Sequence, residues 1–135
     1  MYFREFNLYS AGDFDYHECR IPALLKSSKQ TILAFTEARK FTGRDTDQVG
    51  LFVSRSVDGG NSFEDVQVLA TREGWACHNP APVQDRETGT IWLFFCKNPK
   101  QGNEAVVPAG QDARSVWPTK STYDGKTWSD HTIKV

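Results

Sequence analysis

The segment Ser56-Val57-Asp58-Gly59-Gly60-Asn61-Ser62-Phe63 decides the fold. It fits the pattern S-x-D-x-G-x-[S/T]-[W/F], an Asp-box turn. Glycine relieves the tight reversal, the Ser and Asp side chains can bond nearby backbone N–H groups, and the terminal aromatic offers a plug for a core. The runs on either side read as strands. Upstream, Gln48 to Arg55 alternates, with Val49, Leu51 and Val53 on one face and Phe52 on the other. Before it, Thr31 to Glu37 is rich in β-formers and Pro22 to Ser27 is short and apolar. Beyond the turn, Asp65 to Leu69 makes a fourth strand.

The same order then starts again. Ala81 to Gln84, Thr90 to Cys96 and Ser115 to Lys120 read as strands. A second box follows over Ser121-Thr122-Tyr123-Asp124-Gly125-Lys126-Thr127-Trp128, then a last strand over Ser129 to Val135. In this copy Tyr123 stands where Asp is expected and Asp124 comes one place late, so the turn is expected to be held differently. Pro118 removes a ladder donor from the third strand of this unit. The boxes begin 65 residues apart (121 − 56), more than the roughly 40–50 residues of a compact blade. The polar loop from Lys97 to Asp112 takes up the excess. Tandem strand–strand–strand–box–strand units without an amphipathic helix predict an all-β chain of the β-propeller type. The expected division is a lead-in over 1–19 with room for a short closing strand, a blade over 20–70 with its box at 56–63, and a blade over 79–135 with its box at 121–128.

Composition sets outer bounds. Of 135 residues, 39% are hydrophobic and 24% charged, a globular balance that argues against disorder. A net charge of −1 gives no electrostatic case for nucleic acid or an anionic membrane. No run approaches the roughly 18 apolar residues of a membrane-spanning helix. Met1 to Phe6 lacks a basic region leading into an apolar one, so no secretory signal is visible, and compartment stays open. Cys19, Cys77 and Cys96 are odd in number and have no C-x-x-C spacing, which favours free thiols over a disulfide. Cys19 with His17, and Cys77 with His78, match no structural zinc spacing, so no metal is expected.

Residues that could carry chemistry sit just outside the apolar runs. Arg20-Ile21-Pro22 opens the first strand, Glu37-Ala38-Arg39 closes the second, and Asp45 follows six residues after Arg39. Together with the Asp box, these resemble the N-terminal part of a sialidase (neuraminidase), an exo-α-sialidase of six-bladed propeller fold that removes terminal sialic acid from glycans. The resemblance covers nearly the whole chain but only about a third of such a catalytic domain. It implies that Arg20 is one of three arginines clamping the substrate carboxylate, a task suited to the planar guanidinium fork. Ile21 belongs to the same motif. Cys19 precedes it where the family usually has Tyr or Phe. The plain alternative for Arg20 is a surface arginine pairing an acid.

By the same resemblance, Arg39 lies in the sialic-acid pocket without joining the clamp; a surface ion pair is the alternative. Asp45 falls where the family keeps the acid/base that protonates the leaving oxygen and then deprotonates water, and Asp47 is its rival. Such an acid needs burial or a raised pKa. Asn79, in Asn79-Pro80-Ala81-Pro82, implies a substrate contact at the pocket edge, alongside an Asx turn ahead of Pro80. Ser56, Asp58, Gly60 and Phe63, with Ser121, Gly125 and Trp128, are box residues with structural roles. The implied partners are sialylated oligosaccharides, glycoproteins or gangliosides, with no cofactor.

Sialidases attack with a tyrosine that a glutamate deprotonates, and these, with the other two clamp arginines, come later in the family's order. Arg114 matches no clamp position. The 135 residues alone are therefore expected to give no turnover. Two further readings are a non-catalytic Asp-box propeller that binds glycans, and a glycosidase acting on a neutral sugar. Arg20 speaks against the neutral sugar, and a lectin has no need of Asp45.

Overall fold

A computed structural model describes residues 3–71, 75–99 and 114–130. The strands are β1 (Glu18–Lys26), β2 (Ile32–Arg39), β3 (Val49–Ser56), β4 (Gln67–Ala70), β5 (Trp75–Gln84), β6 (Ile91–Pro99) and β7 (Ser115–Ser121). The all-β expectation holds: among the described residues the helical content is one 3-10 turn at Asp13–Asp15. β1 to β4 form one antiparallel meander and β5 to β7 a second, joined by a single parallel bridge between Val49 and Ala76.

The two meanders share a register. Ile32 pairs with Ser56 and Phe35 with Val53 in the first; Ile91 pairs with Ser121 and Phe94 with Pro118 in the second. The repeat is thus one of backbone pairing as well as of box sequence. Leu33, Phe35, Leu51 and Val53 of the first meander pack against Cys77, Ile91, Leu93 and Phe95 of the second. This shared core is what a sheet face rich in β-branched and aromatic side chains is built to bury.

Several boundaries moved. β1 and β5 begin earlier than the apolar runs, at Glu18 and Trp75, and β4 runs Gln67–Ala70. Neither Ser129 nor Asp130 is in a strand, and the remainder of the expected last strand lies outside the described residues. So does the loop from 100 to 112, and β6 takes its first three residues, Lys97 to Pro99. All eight residues of β3 are buried, Phe52 included. The cause is the lead-in, which over residues 3–17 is coil with one 3-10 turn. Phe14 and Tyr16 stack edge-on against Phe52 at 5.9 and 4.9 Å, and the Tyr9 hydroxyl donates to the Ala34 carbonyl at 3.0 Å. The second face of the sheet is thereby covered.

The two boxes are held in different ways. In the first, Asp58 accepts from the Ser56 hydroxyl (2.8 Å), the Ser62 amide (3.0 Å) and the Ser62 hydroxyl (2.6 Å), while Ser56 Oγ accepts from the Gly60 amide at 2.8 Å. In the second, Ser121 Oγ accepts from the Gly125 amide at 2.8 Å, but Asp124 faces away from its own turn. Its carboxylate accepts from Thr31 Oγ1 and lies 3.6 Å from the Arg55 guanidinium, and its carbonyl accepts from Arg55 Nε at 2.9 Å. The one-place shift of the aspartate gives up a local brace for a link between meanders. Trp128 packs edge-on against Phe35 at 5.9 Å, completing the link.

Cys19, Cys77 and Cys96 are free thiols. Burial pushes the Cys77 thiol up to about 11. Since the thiolate is the reactive form, Cys77 is expected to be the slowest of the three to alkylate in native protein at pH 8. Peptide mapping after timed iodoacetamide treatment checks this; Cys77 modified first would contradict it.

Candidate functional site

Two matching irregularities aim side chains into the space between the meanders. In β1 the register slips between Arg20 and Ala23, and Ile21 takes φ 54°. In β5 it slips between His78 and Ala81, and Asn79 takes φ 56°. Both left-handed residues precede Pro-Ala, as Arg20-Ile21-Pro22-Ala23 and His78-Asn79-Pro80-Ala81. For a β-branched isoleucine this is a true outlier, costing on the order of 1–3 kcal/mol, and such strain collects at functional sites.

The result is a cleft of about 240 Å³ lined by Arg20, Ile21, Arg39, Asp45, Asn79 and, from the far wall, Arg114, with Glu37, Thr46, His78 and Asn98 completing it. At its floor lies a buried ion pair. Arg39 Nη2 donates to Glu37 Oε2 at 2.8 Å, and both side chains are almost wholly buried. Arg39 Nη1 donates to the Gly43 carbonyl (2.8 Å) and to Asp45 Oδ1 (2.6 Å). Arg20 Nη1 donates to that same Gly43 carbonyl at 3.1 Å. One carbonyl therefore ties both arginines to the 40–48 loop. Arg20 remains half-exposed and only loosely near Glu18, at 3.7 Å, so most of its five donors stay available to a ligand.

The two aspartates differ in surroundings. Asp45 presents its carboxylate to the cleft with a side chain 78% exposed. Asp47 is buried and absent from the cleft; it accepts from the amides of Phe41 (3.1 Å), Thr42 and Gln48 (2.7 Å), bracing the loop from within. The hydrogen bond from Arg39 holds Asp45 below the usual carboxylate range. The expected burial or raised pKa is thus not found at Asp45 in the empty cleft. Burial works against ionising Asp47, but its three backbone donors outweigh that and lower its pKa.

Glu37 and His78 form the part of the site that motif spacing did not reveal. Glu37 Oε1 accepts the Asn79 amide at 2.8 Å, and Oε2 lies 3.3 Å from His78 Nδ1. Burial pushes the Glu37 carboxyl up, but the His78 contact, the Asn79 amide and the Arg39 charge together bring it below its ordinary value. His78 Nε2 lies 3.0 Å from the Asp45 carbonyl. The parallel between R-I-P-A and H-N-P-A was the available signal: His78 occupies in the second meander the slot that Arg20 occupies in the first. Arg114, which matches no clamp position, nonetheless reaches the cleft, where its Nε donates to Asn98 Oδ1 at 3.2 Å. Among the described residues no group of three or more His, Cys, Asp or Glu side chains is arranged to hold a metal ion.

The chain matches the BNR repeat-like domain family over residues 17–135. It is 37% identical over 131 residues to Sialidase-2 of Cricetulus griseus, covering 90% of this chain and 33% of that protein. It is 29% identical over 133 residues to an exo-alpha-sialidase of Aspergillus fumigatus, covering 84% and 32% respectively. Among solved structures, a Hadza microbial sialidase superposes with a TM-score of 0.80 at 24% identity, over 92% of this chain and 27% of that one, which shows a shared fold. The chain spans about a third of the length of the curated relatives it matches. With a family match over most of its length and sialidases as its relatives in both sequence and fold, the chain belongs to the BNR-repeat sialidase family.

Proposed function

We propose that this chain supplies the first two blades of a six-bladed exo-α-sialidase propeller, and with them one wall of its sialic-acid pocket. The observation that carries the reading is the convergence of Arg20, Arg39, Asp45 and Asn79, from two meanders and a loop, on one cleft. In this reading the half-exposed Arg20 fork takes the sugar carboxylate, and Ile21 gives the pocket an apolar edge. Arg39, already bound to Glu37 and Asp45, shapes the floor, and the Asn79 side chain meets the substrate at the rim. Asp45 faces the cleft and serves as acid/base of a retaining hydrolase, with Asp47 confined to bracing its loop. Asp45 is held ionised by Arg39 in the empty cleft, so the acid role requires a bound substrate and excluded water to raise its pKa.

The nucleophilic tyrosine, its glutamate and the other clamp arginines belong, in this reading, to further blades, so the 135-residue chain alone gives no turnover. Its substrates are sialylated oligosaccharides, glycoproteins or gangliosides, and no cofactor takes part. The alternative, a non-catalytic Asp-box propeller that binds glycans, draws on the ionised state of Asp45, which suits binding and opposes acid catalysis.

The test is carboxylate-dependent binding. Titrating the isotopically labelled chain with N-acetylneuraminic acid should move resonances of residues 20, 39, 45 and 79, with a dissociation constant of about 1 mM or weaker, as one unassisted guanidinium would give. The methyl ester should bind at least about tenfold more weakly, and Arg20→Ala should cost a similar factor, the worth of a hydrogen bond to a charged group. Equal binding of acid and ester, or no effect of Arg20→Ala, would overturn the reading. Hydrolysis of a fluorogenic sialoside by the chain alone would overturn the need for further blades.

A further inference from the structure

His78, on the second meander, is placed against both the Glu37–Arg39 ion pair and the backbone of the Asp45 loop. It is 7% exposed, so its ring nitrogens have little recourse to water. Both face acceptors: Nε2 the Asp45 carbonyl at 3.0 Å, Nδ1 the Glu37 carboxylate at 3.3 Å. A carbonyl oxygen can only accept, so Nε2 must be the donor. A neutral ring then turns the Nδ1 lone pair toward the Glu37 carboxylate, whereas a protonated ring donates to both. The loop's other hydrogen bonds run to Arg20, to Arg39 and within the loop itself.

We infer that His78 is a positioning residue: its imidazole pins the Asp45 loop to the buried Glu37 anchor and holds it more firmly when both ring nitrogens carry protons. β2 brings Glu37 and, behind it, Arg39; the loop brings Asp45, with Arg20 of β1 beyond. β6 brings Cys96, paired with His78 across the sheet, and Lys97, paired with Cys77. Glu37 and Asp45 are both held below the ordinary carboxylate range, so between about pH 5 and 8 they stay ionised, and imidazole is the side-chain type that changes charge in that window. The sign follows. The doubly protonated ring has two donors for two acceptors, so loop anchoring is greatest when both nitrogens carry protons and weakens when the ring loses one. The consequence for catalysis rests on reading Asp45 as a site residue; the contact itself does not.

The slot carries the inference further. The same strand irregularity that points Arg20 at a ligand points His78 at the protein's own loop. The second copy of the device is thus spent on holding in place what the first copy's neighbours use.

The experiment is amide hydrogen exchange and imidazole nitrogen NMR on the 135-residue chain, with no ligand present. At acid pH both His78 ring nitrogens should be protonated. Protection factors of the Phe41, Thr42 and Asp47 amides, corrected for intrinsic exchange, should fall about tenfold as His78 deprotonates, the worth of one buried hydrogen bond. His78→Gln, which can offer one N–H but cannot titrate, should keep a protected loop with a flat pH profile; His78→Ala should lose protection at all pH values. A proton on Nδ1 with none on Nε2 would overturn the inference, as would loop protection that ignores the His78 titration. Both outcomes are read on the wild-type chain, so they stand even if His78→Ala fails to fold. Sialic-acid binding plays no part in these measurements, so this inference and the proposed function can fail separately.

Discussion

Arg39→Ala is expected to destabilise the chain by about 3–5 kcal/mol, the usual cost of breaking a buried ion pair from one side. Arg39 is among the most deeply buried side chains, and its removal takes a donor from three acceptors at once. Glu37, 1% exposed, keeps only the Asn79 amide and His78; the Gly43 carbonyl keeps only Arg20; Asp45 loses its partner but, being exposed, recovers water. The cost is therefore concentrated on Glu37. Removing both charges, as in Glu37→Leu with Arg39→Met, is expected to recover much of the loss, because neither a stranded carboxylate nor the desolvation of a guanidinium remains. Urea unfolding midpoints of the single and double variants check this. An Arg39→Ala protein within 1 kcal/mol of wild type, taking ~1 kcal/mol as an ordinary substitution effect, would mean that the pair is far more solvated than its burial says. The Arg39 Nε is buried without a hydrogen-bond partner, a cost that the double variant also removes.

Gly125→Ala carries the second large effect, about 2–5 kcal/mol. Two costs add. Gly125 has φ 78°, where a Cβ costs roughly 1–2 kcal/mol. That Cβ would also stand 2.6 Å from a Leu33 methyl of the first meander, and overpacking of a core costs about 1–3 kcal/mol. Gly59, in the first box, isolates the backbone cost: its φ is 76°, but nothing lies within 4 Å of a Cβ there. Gly59→Ala should therefore lose only about 1–2 kcal/mol, and the difference between the two variants measures how tightly the second box is seated on the first meander. Near-ultraviolet circular dichroism should report the same distinction, since Trp128 packs on Phe35 across that contact. Equal losses at Gly59 and Gly125 would mean that the Leu33 contact is not tight.

The strands and both turns were legible because local chemistry decides them: alternating apolar runs and box residues with the right donors and acceptors. Register was legible in part, since each box begins at the last residue of a third strand. The left-handed residues were not, because isoleucine is among the least expected residues at positive φ and nothing local to Ile21 asks for it. Alternation puts Phe52 on the face of β3 opposite Leu51 but leaves open what covers that face, because the cover comes from Phe14 and Tyr16, far off in the chain. Of the cleft, Arg20, Arg39, Asp45 and Asn79 were reachable through motif spacing. In the sequence Glu37 stands only as the companion of Arg39 and His78 only as the neighbour of Cys77, because each also has partners in the other meander or the loop. Long-range pairings of this kind leave no periodic trace.

The displaced aspartate of the second box has a consequence for synthesis. Arg55 and Thr31 leave the ribosome long before Asp124, which follows them by 69 and 93 residues. At about 5–20 residues per second, the first meander waits roughly 3–14 s with the Arg55 contact to Asp124 unmade and Leu33 uncovered. The early half of this chain is thus a nascent segment with an apolar face on show and its Arg55 held by Glu64 alone, a natural client for a chaperone until Trp128 arrives to close it.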